Sequence, residues 1–418
     1  MGCIGSKRYA GVASHVLKFA AIMATIMAPT AASTASAASA ASTVSAAQPA
    51  RPAGCALAGQ PPAAGTMPAP ARPVFPPVQL EMRTPVAPGA VPSNGLHYLV
   101  YELHLRNFAH EAISLHGLEV IAGGAAAGQR IASFTGAELA SLLVPVGPGK
   151  FEGKLEAGRS AVAFLCLAFE RGAVLPDTLR HRMHADGAAA DGPVVPVRRA
   201  APIVLAAPVA GAGWTADNGP SLHSHHRMGL IVADGKAQIA RRFAIDWKKI
   251  KNGAPFAGDA LDVRSYHAYG ENVMAVADGV IVDARDGYPD NVPRTPAGFT
   301  PAVPVTMESI AGNTIVIDLG KGQFASYAHL QPGSVKVKTG QRVRRGQLLG
   351  RIGNSGDARW PHLHFQLTTT PHILDSEALP FVLDGYSTRA PGGAARAVRR
   401  EYPMGDIVID IDARKPAL

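Results

Sequence analysis

The sequence predicts a mostly β protein in two parts, an antiparallel β-sandwich followed by a second antiparallel β-sheet domain. Three observations carry that expectation. Pro (34) and Gly (44) are plentiful while aromatics make up only 6% of the 418 residues, which favours turns and short strands. Short strand-like runs recur between turn residues along most of the chain. No stretch sustains the 3.6-residue apolar period of a long helix.

The elements follow in chain order. Residues 1–37 read as a secretory signal. Lys7 and Arg8 form a basic start, Val16 to Met27 an apolar stretch interrupted by Lys18, and Ala35-Ser-Ala37 a small-residue cleavage site. The apolar stretch is short for a membrane span, so no integral span is expected after cleavage; an uncleaved anchor is the alternative. Residues 38–75, rich in Ala, Pro and Ser with almost no charge, read as a flexible linker. Residues 76–205 read as the sandwich, with strand-like runs at 98–105, 113–121 and 161–169. Its histidines, His104, His110, His116, His181 and His184, lack tight ligand spacing, and no chemistry is expected there. Residues 206–219 read as an interdomain connection. Residues 220–388 form the second β domain, with runs at 242–247, 273–277, 279–282, 313–318, 324–329, 335–337 and 361–367. Residues 389–418 form a tail that ends in the strand-like segment 406–412.

Charge and cysteines narrow the setting. The formal net charge is +9 and falls to about +6 without Lys7, Arg8 and Lys18, a surplus suited to anionic polymers such as cell-wall glycans. No dense Lys/Arg stripe or readable nucleic-acid motif is present, so nucleic acid is not an expected partner. Export would leave Cys55 and Cys166 and permit a disulfide between them. Cys166 sits in a continuous apolar run, and a buried free thiol is the expected state.

The residues that carry chemistry lie in the second domain. In Pro361-His-Leu-His-Phe-Gln-Leu367 a strand would put His362 and His364 on one side, with Leu363 and Phe365 on the other. Two neighbouring imidazoles suit a metal, or one ligand beside an acid/base group. His329 ends the run Ser326-Tyr-Ala-His-Leu330, and Asp246 follows the apolar run Phe243-Ala-Ile245, placed to point into a sheet cleft.

Together these pieces resemble the zinc peptidases of the LytM/lysostaphin type, which cut peptide cross-links in peptidoglycan. The likeness covers roughly residues 222–388. It includes Val273-Met-Ala-Val-Ala-Asp-Gly-Val-Ile281, Gly312-Asn-Thr-Ile-Val-Ile317, Tyr327-Ala-His-Leu330, Gly346-Gln-Leu-Leu-Gly350 and Gly353-Asn-Ser-Gly356 ahead of the His-Leu-His. The resemblance implies a LytM-like antiparallel sheet, a Zn2+ cofactor held by Asp246 and His364, and catalytic assistance from His329 and His362. Zinc with three protein ligands leaves a position for water and lowers that water's pKa toward about 7. The implied substrate is the peptide of peptidoglycan, and the implied address is exported, periplasmic or extracellular.

One position departs from the family. A zinc-binding histidine usually stands four residues before the aspartate, and here that residue is Arg242, which has no lone pair to donate. Ser221-Leu-His-Ser-His-His-Arg227 offers replacements if a turn at Ala233-Asp-Gly235 folds it back beside the Asp246 strand. His226 is the favoured third ligand, with His225 and His223 as alternatives. The other reading is a catalytically silent domain that binds or activates other wall hydrolases. Tyr327 and Trp360 flank the proposed site, as packing residues or substrate contacts.

Overall fold

The computed structural model describes residues 51–52, 54–60, 67, 75–123, 128–222, 224–389, 394–405 and 407–412. The signal segment 1–37, most of the segment 38–75, and His223 lie outside the described residues. Among the described residues no helix is long and apolar enough to cross a membrane.

Among the described residues the architecture is mostly β, with one short α-helix, Gly136–Leu142, and a single 3-10 turn, Val263–Ser265. Two six-stranded sheets make the sandwich. One is built on Leu96–Asn107 and Ser160–Glu170, the other on Ile113–Ala122 and Thr178–Ala185. The second half is one ten-stranded sheet. Its order is Arg342–Val343, Gly279–Arg285, Asn313–Asp318, Phe324–Leu330, Leu363–Thr368, Ile245–Lys249, Gly211–Asp217, Val408–Ile411, Tyr386–Arg389 and Ala395–Val398.

The apolar run at 161–169 is continuous because its strand is buried on both faces. Ala163, Leu165, Leu167 and Phe169 fill the sandwich core. The alternate residues Cys166 and Ala168 join the second core instead, beside Trp214, Trp247 and Phe381. Its partner strand does the same. Leu99, Tyr101 and Leu103 face the sandwich core, while Tyr98 and Val100 face the second domain. The period of two therefore also aims Glu102 toward the second domain. Contacts of this kind make Gln48–Leu418 one compact unit.

Several expectations need correction. Cys166 is not free: it is disulfide-bonded to Cys55. The strand Cys55–Leu57, inside the segment read as a linker, runs parallel to Ser160–Glu170 with the two cysteines directly opposed. The connection 206–219 contains Gly211–Asp217, an interior strand of the large sheet. The tail contributes Ala395–Val398 and Val408–Ile411 to that sheet. Composition marks the first two segments, and the tail around 395–398, as loops, but long-range pairing overrides it; Val408–Ile411 is the strand expected at 406–412. The run 335–337 forms no strand; Lys336 N donates a lone backbone hydrogen bond to Leu349 O.

Candidate metal centre and active site

The large sheet sets the first pair of residues by register. Asp246 stands directly opposite His364 on one neighbouring strand and opposite Asp217 on the other. Alternation works as expected at the His-Leu-His. Leu363 and Phe365 are wholly buried in the core, and His362 and His364 both turn to Asp246. His329 follows Ala328, which pairs with His364. Its φ of 65° is a left-handed conformation uncommon for a non-glycine residue. Two backbone bonds hold it there, His329 N to Ala311 O and Gly353 N to His329 O.

His226 arrives differently from expectation. The turn at Asp234-Gly235 does form a hairpin, but it pairs Ile231–Ala233 with Lys236–Gln238. The histidines themselves sit in a turn, with His225 exposed and His226 buried. His226 nonetheless reaches the site: its Nε2 lies 3.5 Å from Asp246 Oδ1. The same carboxylate oxygen is 3.0 Å from His364 Nδ1 and 3.4 Å from His362 Nε2. The His329 ring centroid is 5.0 Å from that of His362.

Second partners fix which nitrogen of each ring carries its proton. A backbone carbonyl only accepts, so the ring nitrogen facing it must donate. His362 Nδ1 donates to Trp360 O at 2.6 Å, His329 Nδ1 to Ser355 O at 2.8 Å, and His226 Nδ1 to Ala244 O at a long 3.4 Å. Gln366 Nε2 donates to Ile373 O, which turns its Oε1 toward His364; His364 Nε2 donates to that oxygen at 2.9 Å. When such a ring is neutral, its other nitrogen carries the lone pair that a metal takes. For His226, His362 and His364 that nitrogen lies 3.0–3.5 Å from Asp246 Oδ1.

Electrostatics agree with a ligand set. Burial holds His226 well below the usual imidazole range. Burial, then the neighbouring His362 and His364, does the same for His329. Burial alone would raise Asp246, but His226, His362 and hydrogen bonds from His362 and His364 outweigh it and hold the carboxyl well below its ordinary range. A proton or a metal cation must lie between these inward nitrogens and the ionised carboxylate, and a metal can take the place of the proton. Histidines with one nitrogen donating outward and the other directed inward have the second-sphere pattern of metal ligands. The residues therefore fit Zn2+.

Asn218 ties two of these groups together. Its side-chain amide donates to Asp246 Oδ2 at 2.7 Å, leaving Oδ1 to the histidines. Its carbonyl accepts from Ser224 Oγ, which in turn accepts from His226 N at 3.1 Å. Asn218 has a φ of 59°, a conformation Asn tolerates better than most residues. In the sequence it looks only like the start of an Asn-Gly-Pro turn. Gln366 was more legible, since it lies two residues after His364 on the same strand face.

His225 is a competing candidate. One ligand atom each from His225, His226 and Asp246 lie within 4.8 Å of one another. His364 is the better third group, because its inward nitrogen already faces Asp246 and its other nitrogen is held by Gln366. Tyr327 is wholly buried with its hydroxyl accepting from Val276 N, so it packs the core. Trp360 is 39% exposed at the rim, with Lys248 Nζ 5.8 Å from its ring centroid.

Arg242 does not face the metal centre. Its guanidinium binds Glu102 at 2.5–3.2 Å and also pairs with Glu377. Arg227 pairs with the same Glu102 and donates to Tyr101 O and Leu165 O.

Parts of the chain are similar to known proteins. The cell division protein DipM of Caulobacter vibrioides is 28% identical over 148 residues, 35% of this chain and 20% of that protein. The peptidoglycan DD-endopeptidase ShyA of Vibrio cholerae is 46% identical over 57 residues, 14% of this chain and 13% of that protein. The chain thus matches a fifth or less of the length of these curated relatives. The catalytic domain of lysostaphin from Staphylococcus simulans is 24% identical, with 33% of this chain and 71% of that one covered, at a TM-score of 0.19. The family model described as Peptidase family M23 matches residues 260–376, which include His329, His362 and His364; Asp246 and His226 lie ahead of the matched stretch. With that match over residues 260–376, the chain carries a domain of peptidase family M23.

Proposed function

We propose that this chain is a zinc-dependent endopeptidase that hydrolyses peptide bonds in bacterial peptidoglycan. His226, Asp246 and His364 hold the Zn2+, and His329 and His362 assist catalysis. The observation that carries the reading is the convergence of imidazole nitrogens on Asp246 Oδ1. A relative described as a peptidoglycan DD-endopeptidase supports the substrate class. The Cys55–Cys166 disulfide supports an oxidising address, the periplasm or the cell exterior.

The residues divide the work. Bound zinc would supply Lewis-acid activation of a water and of the scissile carbonyl. Asp246, ionised and fixed through Oδ2 by Asn218, contributes the negative charge that holds the ion. His329 and His362 each donate Nδ1–H to a carbonyl, so each offers Nε2 as a proton acceptor. Once protonated there, either ring becomes a donor to the developing oxyanion or to the departing amine.

The test is release of soluble fragments from purified wall sacculi, paired with zinc content. The chain should hold one zinc, and His362→Ala should slow release by about 10²–10⁴-fold. Release that continues unchanged in that variant would refute the mechanism. Zinc-free protein that releases nothing would favour the silent partner of other wall hydrolases.

A further inference from the structure

We infer that the β-sandwich is part of the metal site, with Glu102 and Arg227 acting as positioning residues for His226. The inference rests on His226 being a zinc ligand, as proposed above. Asp246, His329 and His364 are fixed by strands of the large sheet, but His226 lies in a turn outside all of them. The turn is instead fastened to the sandwich. Arg227, the next residue, is wholly buried and spends its guanidinium on Glu102, Tyr101 O and Leu165 O. All three acceptors belong to the two sandwich strands that face the second domain. The same guanidinium lies 5.4 Å from the Phe164 ring centroid.

A second attachment flanks the turn. Leu222 and Leu230 pack against a small buried cluster of Val162, Phe164 and Ile239, in which sandwich and second domain meet. Leu222 also presses on Gly54, where an added Cβ would meet Leu222 Cδ1 at 2.0 Å. The His226 turn is therefore bracketed by two leucines that join this cluster, and the first of them also reaches the residue beside Cys55.

The arrangement also gives Arg242 a role. Glu102 sits between the Arg227 and Arg242 guanidiniums, and Glu377 pairs with Arg242 from the other side. Two buried cations and two carboxylates balance. Where the family's usual histidine would stand, this chain has an ion pair to the sandwich, and that same carboxylate holds the turn that brings His226.

The test uses the full chain and measures zinc affinity by competition with a chromogenic chelator. Melting temperature of the metal-free protein is measured in parallel. Arg227→Lys keeps the charge but cannot serve three acceptors from one planar fork. The double variant Glu102→Gln with Arg227→Met removes one cation and one anion together, leaving Arg242 and Glu377 paired. Both should bind zinc about 10–100-fold more weakly. Glu377→Gln, which disturbs the network without touching Arg227, should lower the melting temperature yet keep zinc affinity within about threefold of wild type. Wild-type affinity in Arg227→Lys would overturn the inference, whatever the double variant does. Equal loss in Glu377→Gln would reduce the network to general stability and also overturn it. A wild-type chain that binds no zinc would remove the functional reading and this inference with it.

Discussion

The Cys55–Cys166 disulfide closes 111 residues of chain, and its removal should be costly. Linking residues that far apart removes loop entropy from the unfolded state worth about 5 kcal/mol in the chain-entropy model. Native interactions supply little compensation, because Cys55–Leu57 is a three-residue strand held by a single neighbour. Replacing both cysteines with alanine, or reducing the chain with dithiothreitol, should therefore lower the urea midpoint by roughly 1–2 M. The assay is urea unfolding followed by tryptophan fluorescence, which Trp214 and Trp247 report from the shared core. A thiol count on the denatured, unreduced chain accompanies it. Neither Cys55 nor Cys166 should react, whether or not the segment carrying Cys3 is retained. Reactive thiols at Cys55 and Cys166, or identical midpoints with and without reductant, would refute the reasoning.

Other expectations concern the site and its surroundings. Asn218→Ala should weaken zinc binding by about 10–100-fold in chelator competition, since it frees both Asp246 Oδ2 and the Ser224 link to His226. Gly312→Ala should cost about 1–3 kcal/mol in urea unfolding. Gly312 has φ 60°, and an added Cβ would meet Ser355 Oγ at 2.4 Å, displacing the residue whose carbonyl holds His329; hydrolysis should slow with it. His181 gives a pH signature. Burial lowers its pKa to about 4, and its Nε2 lies 2.9 Å from the Tyr101 hydroxyl. The unfolded residue binds a proton near 6.5, so this contribution is complete above that pH and is lost as pH falls toward 4. The loss is roughly 3 kcal/mol, and His181→Gln should flatten the urea midpoint between pH 7 and 4.

Much of the site could be read from the sequence wherever one strand sufficed to place it. The alternation of Pro361 to Leu367 put His362 and His364 together, and the apolar run before Asp246 placed it in the sheet. His226 was harder, because it stands in a turn whose position depends on Arg227 reaching a carboxylate 125 residues earlier. The fate of Arg242 was decided by the same Glu102, which in the sequence is one charge among alternating residues. The disulfide was hidden for a related reason. Cys55 lies in a tract whose composition argues for disorder, and only a parallel pairing with a distant strand brings it to Cys166. Local pattern reports which face a residue occupies; it does not report what arrives from elsewhere to cover that face.

The central position of Gly211–Asp217 has a bearing on biogenesis. That strand supports Asp246 on one edge and is itself covered by Val408–Ile411 on the other. Until Val408–Ile411 has docked, this edge keeps its amides and carbonyls unpaired and open to mispairing. Formation of the cleft would then wait on Val408–Ile411, so deleting that strand should yield aggregation during folding rather than a trimmed but working protein.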